Sequence, residues 1–453
     1  MAATPIPYCD ETACRAAGCV PTLCTGAGVR SNATLYERSA RAIPGGVNSS
    51  IRAFKAVGGS PYIVARAEGA HVWDVEGNRY VDLVQSYGAV ILGHAHPAVT
   101  AALRAAAPDG TSYGAPTPRE MKLAEAISSR VASCEQVRLM NSGTEATSTA
   151  VRLARGATGR KRVVIFDGNF HGATDALLAA GGSGVATLGL PGTAGVPDEA
   201  VANTIVAPYN VVPTLDDRVA AVIVEPVAAN MGVVAPSASF LQGLRRECDR
   251  VGALLVFDEV ITGFRLGPGG AQEKYDVRPD LTCFGKVIGG GLPIGAVGGR
   301  RDLMATLSPI GKVFHAGTLA GNPMATAAGL AALNELTDDV YMELAARARR
   351  LSSMMRDACA VVGVPAQFPV VGTLVGMFVG DAARGALPVN FDEAKKTDEA
   401  LYAKLFHAML AEGVALAPGA YEALFVGLGH NDSVMQQLAE RTERAALAAV
   451  RAQ

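Results

Sequence analysis

Two short apolar runs, each ending in one ionisable residue, dominate the middle of the chain: Ala253-Leu-Leu-Val-Phe-Asp258 and, 28 residues later by its terminal residue, Leu281-Thr-Cys-Phe-Gly-Lys286. Runs of this kind form buried parallel strands, which deliver functional groups at the carboxyl edge of a sheet. An acid at one strand end and an amine just past the next meet two demands of one cofactor chemistry. A lysine amine can condense with the aldehyde of pyridoxal 5'-phosphate (PLP), and a carboxylate can keep the pyridine nitrogen protonated so that the ring accepts electrons. A carboxylate in contact moves a partner's pKa by ~1–3 units toward the charged form, each unit worth about 1.4 kcal/mol. A strand-edge Asp and an unrelated surface Lys would give the same pattern, so the rest of the chain has to decide.

Further residues with chemical potential lie on both sides. Asn141-Ser142-Gly143-Thr144-Glu145 separates an apolar run from a helical pattern. Such a turn leaves backbone N–H groups and hydroxyls at a helix start, where the dipole favours phosphate. No Walker lysine accompanies it, which argues against a nucleoside triphosphate. Phe170 follows the strand pattern Lys161–Asp167, and an aromatic there can stack on a flat ring. Arg52, in the loop Val47–Phe54, carries a planar fork of donors suited to a substrate carboxylate. From Gly172 to Gly195 there are seven glycines in 24 residues and almost no charge, a composition that predicts a mobile lid over a cleft. His94 and His96 have no carboxylate or Cys partner at a supporting spacing, and no metal is expected.

The elements that must position these residues can be read from periodicity. After Asn32, the segment Thr34–Ile43 predicts a short amphipathic helix stopped by Pro44-Gly45-Gly46. Alternating runs around Tyr62 and His71–Asp82 predict a small antiparallel sheet with a turn at Glu76-Gly77-Asn78. Strand patterns recur at Asn203–Ala207, Ala220–Glu225 and Pro293–Gly299, with a helix around Phe240–Cys248. Strand, helix and strand in alternation predict a mostly parallel sheet coated by helices. Ala316–Pro323 reads as a loop before a long helix. Beyond it, helices over Val340–Val362 and Asp392–Glu412 flank short strands at Gly372–Val379 and Val414–Ala417, as in a separate α+β lobe. The expected division is a flexible leader over 1–31, a segment 32–86 joining the small lobe, a large domain over 87–325 and a small domain over 326–453.

Composition fits this plan and excludes several function classes. The chain has 453 residues, 49% hydrophobic and 18% charged, with net charge −2. A globular core is therefore expected, and neither nucleic acid nor an anionic membrane is indicated as a partner. No apolar run reaches the ~18 residues of a membrane span. Cys9, Cys14, Cys19 and Cys24 recur every fifth residue in the leader, a spacing that fits neither one helix face nor the close pairs of zinc sites. The leader lacks an apolar core and carries Asp10 and Glu11, so a cytoplasmic location is expected.

Taken in order, the motifs resemble the class III aminotransferase group of PLP-dependent fold type I enzymes from about Asn32 to the C-terminus. Pro44-Gly-Gly-Val and Gly93-His-Ala-His-Pro are weak signals singly. Asn141-Ser-Gly-Thr-Glu-Ala, Val256-Phe-Asp-Glu-Val-Ile-Thr-Gly-Phe-Arg, Gly285-Lys-Val-Ile-Gly-Gly-Gly-Leu-Pro and Ala316-Gly-Thr-Leu-Ala-Gly-Asn-Pro are specific together. The lid motif Gly182-Ser-Gly-Val-Ala-Thr-Leu-Gly-Leu-Pro is similar to that of the aminomutases acting on glutamate 1-semialdehyde. The resemblance implies an α/β fold, a large domain with a mostly parallel sheet plus a smaller α+β domain. It implies PLP and pyridoxamine 5'-phosphate (PMP) as cofactors, a small amino aldehyde or amino acid as substrate, and a homodimer with active sites near its interface. By position, Lys286 would be the lysine joined to the cofactor and Asp258 the partner of the ring nitrogen. Ser142, Gly143 and Thr144 would hold the phosphate, with Thr318 arriving from the second subunit. Phe170 would stack on the ring and Asn230 sit near its hydroxyl, while Ser49, Arg52, Tyr87, Ser183 and Glu422 would lie around the substrate end and gate. The activity implied is an intramolecular amine transfer, with a class III aminotransferase acting on another amino acid or amine as the alternative. The family pattern differs at three places, with Trp where Tyr87 stands, Tyr where Phe170 stands and Pro where Ser50 stands; these departures bear on substrate identity.

Overall fold

The apolar runs of the sequence become strands because both faces of each are covered. The computed structural model describes residues 31–179 and 193–451. Its strands in chain order begin with β1 (Val64–Glu68), β2 (His71–Asp74), β3 (Arg79–Asp82), β4 (Gln136–Met140) and β5 (Arg162–Phe166). They continue with β6 (Thr204–Ala207), β7 (Val219–Val224), β8 (Leu254–Asp258), β9 (Leu281–Phe284) and β10 (Gly295–Gly299). The central sheet has the order β4-β10-β9-β8-β7-β5-β6. Every residue of β7, β8 and β9 is buried.

Alternation distributes these side chains to two cores. Val222, Val224, Leu255 and Phe257 pack with Phe240, Leu241 and Leu244 of the helix Phe240–Val251. Ala221, Ile223, Leu254 and Val256 face the other way, onto Ala146, Ala150 and Leu153 of the helix Gly143–Thr158. Each fully buried Leu, Val or Phe contributes about 1.5–3 kcal/mol, so the two helices fix the sheet edge on which the site is built. β5 to β9 with β6 run parallel. β10 is antiparallel to both β4 and β9. The connection 285–294 is too short for the crossover of a dozen or more residues that a parallel neighbour needs.

The smaller sheet is antiparallel through β1, β2 and β3, and the C-terminal strand Val414–Ala415 joins it parallel to β3. Both ends of the chain thus contribute to one core, in which Val81 and Leu83 meet Leu351, Phe406, Leu424 and Leu438. The turn after β2 forms at Glu76-Gly77-Asn78, where the Asp74 carboxylate accepts from the Glu76 and Asn78 amides.

Two expectations for the C-terminal part need correction. The span Asp392–Glu412 is two helices, Phe391–Ala394 and Glu399–Ala411. Asp398 breaks it: its carboxylate caps the second helix at the Leu401 amide, while its own amide donates to Val379. The span Gly372–Val379 is two short strands, Leu374–Val375 and Phe378–Val379. They part at Gly376, where a side chain would meet the Gly232 carbonyl at 2.0 Å. Among the described residues no helix is long and apolar enough to cross a membrane. The leader cysteines and most of the glycine-rich stretch, Ser183 included, lie outside the described residues.

Candidate active site

The carboxyl edge of β4, β5, β7, β8 and β9 opens into one cleft of about 350 Å³. Asp258 is the last residue of β8 and pairs in register with Cys283 of β9; Lys286 follows three residues later. Both side chains line this cleft. Parallel register of neighbouring strands is what converts a separation of 28 residues into proximity.

Lys286 sits at the start of a 3-10 turn, Lys286–Gly289, with φ of +46°. A non-glycine residue there carries strain on the order of 1–3 kcal/mol, and persists only where packing dictates it. Val287 and Ile288, both wholly buried, supply that packing. Burial pushes the Lys286 amine below its ordinary pKa, opposed by the Asp258, Glu225 and Glu422 carboxylates, with Arg265 adding to the lowering. The effect favours the neutral, nucleophilic amine.

Asp258 is buried, and its two oxygens are held separately. Oδ2 lies 2.7 Å from His171 Nδ1, and Oδ1 accepts from the Val260 amide at 3.1 Å. Since an ionised carboxylate only accepts, Nδ1 carries the proton in this pair. His171 is itself fixed by its backbone, whose carbonyl accepts from Thr147 Oγ1 at 2.6 Å. Glycine at 172 is required next door, because its φ is +85° and a side chain would lie 2.5 Å from Thr144 Oγ1.

At one end of the cleft, Ser142 caps the helix Gly143–Thr158 by accepting from the Glu145 amide. The first-turn amides of Gly143 and Thr144 precede any intrahelical acceptor, as four N–H groups do at every helix start. Glu145 completes the turn by accepting from the Asn141 amide. Phe170 lines the cleft and is 38% exposed, so it is accessible to a ligand there. Asn230 donates through Nδ2 to Glu225 Oε1 at 2.9 Å.

Two residues of this site, His171 and Glu225, escape the sequence reading. Glu225 ends the β-branched run of β7 in the way Asp258 ends β8, and that pattern is the signal that could have found it. It accepts from the Phe170, Ala229 and Asn230 donors. Burial nevertheless raises its carboxyl to about 7, with His171 lowering and Asp258 raising it further.

Of the residues expected at the substrate end, Ser49, Arg52, Tyr87 and Glu422 do not line the same cleft. Ser49 precedes the 3-10 turn Ser50–Ala53 that carries the exposed Arg52. Tyr87 lies in the turn Gln85–Gly88, and burial raises its phenol, with Glu422 adding and Arg52 opposing. These three therefore share one electrostatic neighbourhood, and Glu422 also acts on Lys286. Thr318 is exposed and outside the cleft of its own chain. Its loop adjoins a second concavity lined by Glu120, Arg138, His315 and Gly317, and a side chain at Gly317 would lie 3.1 Å from Asn141.

Comparison with known proteins places this geometry. The family model "Aminotransferase class-III" matches residues 54–438. The chain belongs to the class III aminotransferases. Glutamate-1-semialdehyde 2,1-aminomutase of Bordetella avium is 48% identical over 422 residues, covering 91% of this chain and 98% of that protein. The protein of the same name from Syntrophobacter fumaroxidans is 51% identical over 411 residues, covering 88% and 93%. Among solved structures, an omega-transaminase from Sphaerobacter thermophilus superposes with a TM-score of 0.82 at 30% identity, over 92% of this chain and 98% of that one. A glutamate-1-semialdehyde-aminomutase from Pseudomonas aeruginosa gives 0.80 at 26%, over 92% and 94%. This class III aminotransferase thus has the fold type I architecture, a mostly parallel seven-stranded sheet with a smaller domain.

Proposed function

We propose that this chain isomerises glutamate 1-semialdehyde to 5-aminolevulinate, moving the amino group from C2 to C1 within one substrate molecule. Identity of 48–51% to proteins named for that reaction supports the choice of substrate. The observation that carries the chemistry is the meeting of Asp258 and Lys286, from adjoining parallel strands, on one cleft.

The donor set fits PLP. A buried amine with a lowered pKa suits its aldehyde, a buried carboxylate its ring nitrogen, an accessible aromatic side chain its ring, and a helix start its phosphate. When bound, PLP and its aminated form PMP supply the exchangeable amine and a ring that takes up electrons from the substrate carbon. Lys286 Nζ would carry protons to and from the substrate carbons, C1 gaining one and C2 losing one in separate exchanges. Asp258 keeps a proton on the ring nitrogen, and His171 orients Asp258 through their 2.7 Å hydrogen bond. Ser142, Gly143 and Thr144 would bind phosphate oxygens, Phe170 would stack, and Asn230 would sit near the ring hydroxyl. Ser49, Arg52, Tyr87, Ser183 and Glu422 form the substrate end, where the Arg52 guanidinium takes the substrate carboxylate.

The same reading takes the working form to be a cytoplasmic homodimer. Phe314 and Leu319, 68% and 52% exposed, flank Thr318 and give a second copy an apolar surface to cover. A second copy would bring Thr318 to the phosphate end of its neighbour's cleft.

The deciding experiment gives the purified enzyme glutamate 1-semialdehyde and no other amino compound. Formation of 5-aminolevulinate is the expected result. Turnover only with a second amino acid, accompanied by release of its keto acid, would instead assign an ordinary aminotransferase.

A further inference from the structure

One buried cation in the fold has no counter-ion among the described residues. Arg265 is 0% exposed and heads the fully buried side chains by volume. No carboxylate among those residues forms an ion pair with it. The guanidinium donates instead to two backbone carbonyls, through Nη2 to Gly88 at 2.7 Å and through Nη1 to Val426 at 3.4 Å. It stands 5.0 Å over the Phe425 ring, and its Nε has no partner. Burying a charge without an opposite one is unfavourable, so what the two carbonyls hold in place carries the meaning.

Gly88 ends an unusual turn. Gln85, Ser86 and Tyr87 have φ of +46°, +52° and +53°, three non-glycine residues in succession in the left-handed region, and Gly88 follows at +95°. Side chains rarely adopt that region singly, let alone in sequence. The turn is held at its start by Asp82, whose carboxylate accepts from the Val84 and Gln85 amides at 2.8 and 3.1 Å and lies 2.7 Å from His94 Nε2. At its end the guanidinium holds the Gly88 carbonyl, and the Phe425 ring leaves no room for a side chain at 88, where a Cβ would lie 2.7 Å away. Between the two anchors sits Tyr87, in the neighbourhood of Arg52 and Glu422.

We propose that Arg265 is a positioning residue for substrate selection, clamping the left-handed turn Gln85–Gly88 from beneath so that Tyr87 stands as a fixed wall of the substrate end. The inference rests on the placing of Tyr87 at that end in the proposed function.

A double-mutant cycle on the holoenzyme tests it, with Arg265→Met, Tyr87→Ala and both together, assayed with glutamate 1-semialdehyde. Arg265→Met is expected to raise KM about tenfold while kcat stays within about threefold, and the double variant to be no worse than Tyr87→Ala alone. Hydrogen exchange at the Ala89 and Val90 amides, which close the turn onto Ser86 and Gln85, should quicken about tenfold or more in Arg265→Met whatever the substrate. Arg265→Lys, whose ammonium reaches one carbonyl better than two, should recover part of both effects, and it carries the cycle if the methionine variant does not fold. Multiplicative KM effects in the double variant, or unchanged exchange at 89–90, would overturn the clamp. If the wild type makes no 5-aminolevulinate while exchange still quickens, it is the substrate reading that fails and the clamp that stands.

Discussion

The floor of the cleft and the substrate wall proposed beside it are built on different terms. The floor draws Ser142, Glu225, Asp258 and Lys286 from the ends of β4, β7, β8 and β9, with buried hydrogen bonds to both Glu225 and Asp258. The wall draws Arg52, Tyr87 and Glu422 from short turns and loop, with Phe54 and Gln85 to Tyr87 all at positive φ. A sheet edge with two packed faces holds atoms to the tolerance that bond-making needs. Irregular segments can be reshaped without unseating the sheet, and that makes them the place where substrate choice is set. On this division, changes to the floor should fall on kcat and on the cofactor, and changes to the wall on KM.

The strongest test of the floor is Lys286→Ala. On the proposed roles it removes both the cofactor's covalent partner and the proton carrier, and kcat should fall by at least about 10⁴-fold. Visible absorption of the protein-bound cofactor should change with it; an unaltered spectrum would show that another lysine is used. Asp258→Asn keeps the shape but not the charge, and should cost about 10²–10³-fold in kcat with KM little altered. His171→Phe, which removes only the orienting hydrogen bond, should cost about 10- to 100-fold. Steady-state kinetics order the three, and a His171 effect larger than that of Asp258 would exchange the roles of the two residues.

The floor is also the part legible in the sequence, and for the same physical reason. A parallel strand buried on both faces leaves a continuous apolar signature, so Leu254–Asp258 and Leu281–Phe284 stand out with their terminal groups attached. The phosphate turn is legible because Ser142 is a helix cap, a local signal. His171 is not, since its role depends on Asp258, 87 positions away, and no periodicity announces that contact. Glu225 carries the right signature, but with Asp258 already meeting the ring nitrogen's demand, a second carboxylate suggests no separate task. The wall is least legible of all. The left-handed turn at Gln85–Gly88 contains one glycine, and three of its residues violate the preference from which turns are read. The split of Asp392–Glu412 is hidden because Asp398 caps a helix inside a continuous helical pattern.

Glu225 offers a test of the floor through pH. Its folded-state pKa is raised from 4.5 to about 7, so the unfolded chain releases this proton first. Between those values the native state binds more protons than the unfolded state, and stability must fall as pH rises. The slope is about 1.4 kcal/mol per unit, at most about 3.5 kcal/mol in all, and it flattens above pH 7 where both states are ionised. Denaturation of the cofactor-free protein at pH 4.5, 6, 7 and 8 should show this decline in the wild type. Glu225→Gln, which cannot titrate, should lack that component. Equal pH dependence of the two proteins would mean that the buried carboxyl is not protonated in the way described.

Tyr87→Trp is expected to have the smallest effect, and it bears most directly on the separation of wall from floor. Tyr87 is half-buried, on a turn anchored at both ends by Asp82 and Arg265. The larger ring fills more of the substrate end without asking the anchored backbone to move. A gain or loss of one small group's worth of contact changes discrimination by about tenfold or more in a closed pocket, and a partly exposed one gives less. KM for glutamate 1-semialdehyde should fall about threefold, with longer amino aldehydes disfavoured by a similar factor. Neither kcat nor the cofactor spectrum should move, because no floor residue depends on the Tyr87 side chain. A change in the spectrum would mean that the wall reaches the cofactor after all, and then shape and chemistry in this cleft could not be altered independently.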